Sequence, residues 1–214
     1  APLGPTHLAT DDIAILRSIP NMTIVAPADA DEMDRLMPLT VDHKGPIYIR
    51  LAKGYDPIVT NDDNPFEIGK SIYMRKGSDA LIVTTGITLK YGLEAADYLQ
   101  RNNIQAGVLH VPTIKPLAEM VILDLISSVP VVLTVEEHTI VGGLGSAVSE
   151  LIAEAGFDTG KKFKRIGLPD SFPDQYGSQD SLMDRYDINT AAIVSEINRL
   201  SGQTVSVPDL LPVK

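Results

Sequence analysis

Three short stretches carry side chains able to do chemistry. His7 lies in Gly4-Pro5-Thr6-His7, just ahead of Thr10-Asp11-Asp12, which reads as a helix start with Thr10 as its cap. A loop histidine there can face a cleft and exchange a proton near neutral pH. The outward N–H groups of the helix start favour an anion beside it. Arg50 closes the run Pro46-Ile47-Tyr48-Ile49, an apolar strand. A planar guanidinium at the carboxyl end of a strand suits a phosphate or carboxylate. The third stretch is Glu136-Glu137-His138 followed by Gly142-Gly143-Leu144-Gly145-Ser146, acids and a histidine before a glycine-rich helix start. Those glycines could bare N–H groups to a phosphate or allow close backbone packing. The run is not a GxGxxG fingerprint, and packing is the favoured reading.

Composition narrows the classes. In 214 residues, 28 acidic side chains face 18 basic ones, a net charge of −10. That balance speaks against a general nucleic-acid binder and against a polybasic membrane anchor. Cysteine is absent, which removes disulfides, thiolate nucleophiles and zinc fingers together. No run approaches the ~18 apolar residues of a membrane span. No basic, apolar leader is visible at Ala1-Pro2-Leu3-Gly4. A cytoplasmic protein is expected, and with no Met at position 1 the chain reads as a piece of a longer or processed one. His43 and His110 read as structural, and no cluster has metal-ligand spacing. The basic run Lys161-Lys162-Lys164-Arg165 reads as a solvated face.

The elements that must position these residues alternate as strands and helices, an α/β pattern. Thr23–Ala26 and Ile47–Leu51 read as strands around a helix capped by Asp29 with Glu32 three positions on. Met33, Leu36, Met37 and Val41 give that helix one apolar stripe. Residues 55–66, rich in Pro, Asp and Asn, form the best linker candidate. Beyond it the spacing predicts strands at 80–85, 106–111, 131–135 and 164–167. Helices are predicted at 89–99, 117–126, 142–155 and 188–200.

Two segments resemble a known family. Gly4-Pro5-Thr6-His7 through Asn21-Met22 and on to Pro27-Ala28-Asp29 resembles the second half of the pyrimidine-binding domain of transketolases. Glu136-Glu137-His138 through Gly142-Gly143-Leu144-Gly145-Ser146-Ala147-Val148 is similar to the hallmark of that superfamily's C-terminal domain. The resemblance implies three-layer α/β/α units with mostly parallel sheets. Residues 1–60 would be the rear of a pyrimidine-binding domain, 61–67 a linker, 68–200 a transketolase-type C-terminal domain and 201–214 a tail. It implies a transferase moving a two-carbon ketol unit between sugar phosphates with thiamine diphosphate and Mg2+. His7 would then be catalytic and face the substrate, and Arg50 would bind the substrate phosphate.

The same resemblance implies that this chain holds no cofactor or metal residues. The family's pyrimidine-contacting glutamate lies upstream of GPTH, and the GDG motif for diphosphate and cation does not occur here. The chain alone is therefore expected to be inactive. Its expected partner is the N-terminal portion or subunit, in a homodimer or heterotetramer. Two related enzymes remain as alternatives, 1-deoxyxylulose-5-phosphate synthase and the β subunit of a 2-oxo acid dehydrogenase. The non-enzyme alternative is a dimerisation or regulatory module.

Overall fold

The computed structural model describes residues 8–63, 65–203 and 205–207. Its larger sheet has five strands in the order β3-β5-β4-β7-β8. These are β3 (Ile72–Arg75), β4 (Ala80–Thr84), β5 (Ala106–His110), β7 (Val131–Thr139) and β8 (Lys162–Leu168). All pair in parallel except β3, which runs antiparallel along β5.

Side chains alternate across this sheet with the strand period of two. Ile82, Val108 and Leu133 point to one face, where they meet α3 (Leu89–Arg101) and α7 (Thr190–Ser201). Leu81, Val83, Leu109 and Val132 point to the other, against α4 (Glu119–Ser127) and α5 (Leu144–Glu154). Both clusters are fully buried, so the parallel strands read as unbroken apolar runs. The expected three layers are present.

The smaller sheet has the order β2-β1-β6, with β1 (Thr23–Val25) central. β2 (Ile47–Ile49) pairs with β1 in parallel. β6 (Thr113–Lys115) comes from the later half of the chain and pairs antiparallel with β1. The loop residue Pro112 extends the join by accepting the Ala26 N–H at 2.8 Å. Ile13 of α1 (Asp12–Arg17), Ile24, Ala26 and Ile114 close a small core across it.

Strand order reverses at β4, whose chain passes to β5 on one side while β7 lies on the other. Open α/β sheets take ligands in the crevice at that point. Here the crevice is filled by the chain's own early segment. Gly86 N–H donates to Ala26 O at 3.1 Å, and Ala28 joins the core around Ile87 and Leu89.

Local signals held where the side chain had a nearby partner. Asp29 caps α2 (Ala30–Thr40) by accepting the Glu32 N–H at 2.9 Å. The N–H groups of Val59 and Thr60 also reach it, and with the Thr60 hydroxyl they outweigh its burial and hold its carboxyl below the ordinary carboxylate range. Asn189 caps α7.

Other readings need correction. The N-cap of α1 is Asp11, not Thr10, and no side chain of its own neighbourhood caps it. The apolar stripe of α2 is buried only at Leu36, while Met37 and Val41 are 45% and 81% exposed. β3, β6 and the short helix α6 (Gln179–Arg185) were not foreseen. Among the described residues no helix is long and apolar enough to cross a membrane.

Candidate functional site

A cavity of about 300 Å³ opens between the early segment and the carboxyl ends of β7 and β8. Leu8, Ala9 and Thr10 line one side. Arg50 and Lys53 line it where β2 runs out, and Glu137 where β7 does. Leu168, Leu182, Met183 and Tyr186 make the opposite, largely apolar wall. His7 lies outside the described residues, but the three residues that follow it in the chain border this cavity.

Arg50 is the hub of the polar side. Its Nε sits 3.2 Å from Asp12 Oδ2, and its Nη1 donates to Glu137 Oε2 at 3.1 Å. Its Nη2 donates at 2.7 Å to two carbonyls, Ala9 O and Glu137 O. Burial alone would disfavour the charge, but Glu137 and Asp12 outweigh it and hold the guanidinium's pKa above its ordinary value. Tyr48 donates its hydroxyl to Asp12 at 2.8 Å, and burial together with that carboxylate pushes the phenol up to about 12. Gln179 Nε2 completes the shell on Glu137 Oε1 at 2.7 Å. Arg50 thus reaches the cavity wall with its donors already engaged by two carboxylates and two carbonyls.

The glycine-rich start of α5 is not an open anion site. Its anion is internal, because Glu136 accepts the N–H groups of Leu144 and Gly145 at 2.7 and 2.9 Å. Burial pushes this carboxyl up to about 7 against the pull of those two bonds. A Cβ on Gly143 would lie 2.0 Å from Glu136 Oε2, and one on Gly145 would lie 2.7 Å from Thr134 Oγ1. Gly142, at φ +78°, packs on Ala14. The glycines serve close packing, as the sequence suggested.

His138 is buried and neutral, its tautomer fixed by its partners. Nδ1 donates to Thr139 O at 2.7 Å, and Nε2 accepts the Ala14 N–H at 3.3 Å. Burial is the main cause holding its pKa below the ordinary value, with Arg50 adding to it against Thr139 and Asp12. His43 bonds Thr23 Oγ1 and His110 bonds Glu32, both within the packed structure. The basic run near β8 is largely engaged too. Lys161 and Lys162 donate to the carbonyls of Ser127 and Leu200, and Arg165 to that of Ile140.

Among the described residues, the cavity wall offers no unengaged carboxylate to meet the pyrimidine ring of thiamine diphosphate. Among the described residues no group of three or more histidines and carboxylates could hold a metal ion. Glu137, the lining carboxylate, is already held by Arg50 and Gln179. Sequence reasoning overlooked two lining residues, Lys53 and Gln179. Lys53 stands three positions after Arg50, beyond the strand end that drew attention to the arginine.

Comparison with known proteins agrees with this architecture. The transketolase C-terminal domain family matches residues 69–193, and the transketolase pyrimidine-binding domain family matches residues 2–55. A transketolase family protein of Sinorhizobium fredii is 43% identical over 196 residues, 91% of this chain and 56% of its own length. A transketolase C-terminal section of Methanocaldococcus jannaschii is 37% identical, over 91% of this chain and 60% of its own. A 1-deoxy-D-xylulose-5-phosphate synthase of Geobacter sulfurreducens is 35% identical, over 94% of this chain but 32% of its own length. The solved structure of a split-gene transketolase, an inactive β4 tetramer, aligns with a TM-score of 0.85 at 31% identity. That alignment covers 93% of this chain and 64% of the other. The chain thus spans little more than half the length of the first two relatives, and with both of its units matched it belongs to the transketolase family, as a C-terminal section.

Proposed function

We propose that this chain is one part of an enzyme that transfers a two-carbon ketol unit between sugar phosphates. Residues 1–60 and 68–200 are read as its two units, with the cavity between them facing the substrate. The observation that carries the reading is the meeting of Leu8–Thr10, Arg50 and Lys53 on one cavity wall. His7 is assigned to the substrate's reacting oxygens, where an imidazole can move a proton near neutral pH. Arg50 and Lys53 form the cationic side that a phosphorylated sugar requires. Arg50, held in place by Asp12 and Glu137, is assigned to the substrate phosphate, with Lys53 on the same wall adding positive charge beside it.

Thiamine diphosphate supplies the carbanion chemistry in such enzymes, and the described residues here do not cradle it. A second chain or portion must bring it with Mg2+, in line with relatives named as a C-terminal section and a split-gene transketolase. The reading carries with it pentose-phosphate metabolism, a cytoplasmic location and an oligomer of both parts.

The test combines this chain with a family N-terminal subunit, thiamine diphosphate and Mg2+, and assays a ketose phosphate donor with an aldose phosphate acceptor. Ketol transfer by the mixture and not by either part supports the reading. Transfer from pyruvate instead moves the assignment to deoxyxylulose-phosphate synthesis. No transfer with any sugar phosphate overturns it. In the active mixture, Lys53→Ala should raise the donor KM by severalfold or more, the loss of one positive charge from the phosphate side of the wall.

A further inference from the structure

The residues just after His7 are held by a stretch of β7 that belongs to the other unit. In β7 the pairing with β8 shifts register between Val135 and Thr139. Within that irregular stretch lie the residues that reach across. Thr139 N–H donates to Thr10 O at 2.8 Å, and His138 takes the Ala14 N–H. These two bonds already dock residues 10–14. Glu137 adds something different. Its carboxylate and its carbonyl both receive Arg50, and the same Nη2 that reaches Glu137 O also reaches Ala9 O.

Glu137 therefore fixes the guanidinium fork that holds Ala9, two residues beyond His7. Its own carboxylate borders the cavity and is held there by Gln179 of α6, which also lines it. The side chains of Arg50 and Glu137 are 13% and 20% exposed, so the pair has little room to reorient. Arg50 already has Asp12 as a counter-ion. A second carboxylate is not needed to balance its charge. What the second one adds is direction, since two acids on different elements leave the fork one orientation.

We propose that Glu137, through Arg50, is a positioning residue for the cavity-lining segment that begins at Leu8. This rests on the functional reading above, and it gives the C-terminal unit a part in turnover beyond scaffolding.

The test uses Glu137→Gln and Glu137→Asp in the assembled enzyme, with kcat and donor KM measured separately. Misplacing a reacting group costs rate before binding. Glu137→Gln should lower kcat by about tenfold or more while KM stays within about twofold. Glu137→Asp, which keeps the charge, should recover part of the loss. Gln179→Leu, which leaves the ion pair intact, should lower kcat in the same direction by a smaller factor. A wild-type kcat in Glu137→Gln overturns the proposal, as does a change in KM alone or a Glu137→Asp variant no better than Glu137→Gln. An inactive wild-type mixture instead counts against the functional reading, so the two failures are distinguishable.

Discussion

The amino ends of α1 and α5 are both met by side chains from the same few residues of β7, yet in opposite ways. At α5 the partner is Glu136, an acid from its own unit, enclosed by glycines that leave no room for a Cβ. At α1 the partner is His138, a neutral ring that arrives from 124 residues away. One helix end is finished within its unit, and the other is finished only when the two units meet. A helix start rich in glycine looks like a ligand site, and one preceded by threonine looks self-sufficient. Here the first holds an internal anion and the second depends on a distant strand.

The sharpest way to break this contrast is Gly143→Ala. Its Cβ would fall 2.0 Å from Glu136 Oε2 and 2.6 Å from His138 Nδ1, where neither neighbour can withdraw. The expected loss is about 3 kcal/mol or more, read as a lowered urea midpoint. A wild-type midpoint would mean that the glycines are not packed on the acid.

Glu136→Gln sharpens the comparison through pH. A carboxyl raised to about 7 from its ordinary 4.5 binds its proton in the folded chain before the unfolded one does. Its contribution to stability is therefore greatest below pH 4.5 and is lost as pH rises toward 7. The variant should gain on the wild type in melting temperature between pH 5 and pH 8, and a constant difference would refute the raised pKa. His138 has the reverse sign. Its pKa lies below the ordinary 6.5, so acid favours the unfolded chain. His138→Gln should remove the stability loss seen as pH falls below 6.5, measured by the same melts.

The smallest effect belongs to Thr10→Ala. Thr10 is not the cap of α1, so its hydroxyl should cost less than about 0.5 kcal/mol, against about 1 kcal/mol for a working cap.

The parts legible in the sequence were those whose cause is local. The buried strands showed as apolar runs, and Asp29 announced its helix because it bonds the N–H three residues on. Gly142-Gly143-Leu144-Gly145 could be read as packing, though the acid it packs on could not be named. What stayed hidden depends on pairing across long separations. β6 is three residues long and finds its partner β1 about 90 positions back, so no local pattern marks it. Arg50 was visible as a candidate, but its two carboxylates lie on α1 and β7, which only folding brings together. Lys53 and Gln179 carried no signal of their own, being ordinary polar residues in a loop and at a helix start.

The strand β6, laid against β1 and prolonged by the Ala26–Pro112 bond, ties the two units together as a shared seam. Each backbone bond there contributes on the order of 1 kcal/mol, and they would have to break together. Hinge bending along this line would therefore break the whole seam at once rather than one bond at a time.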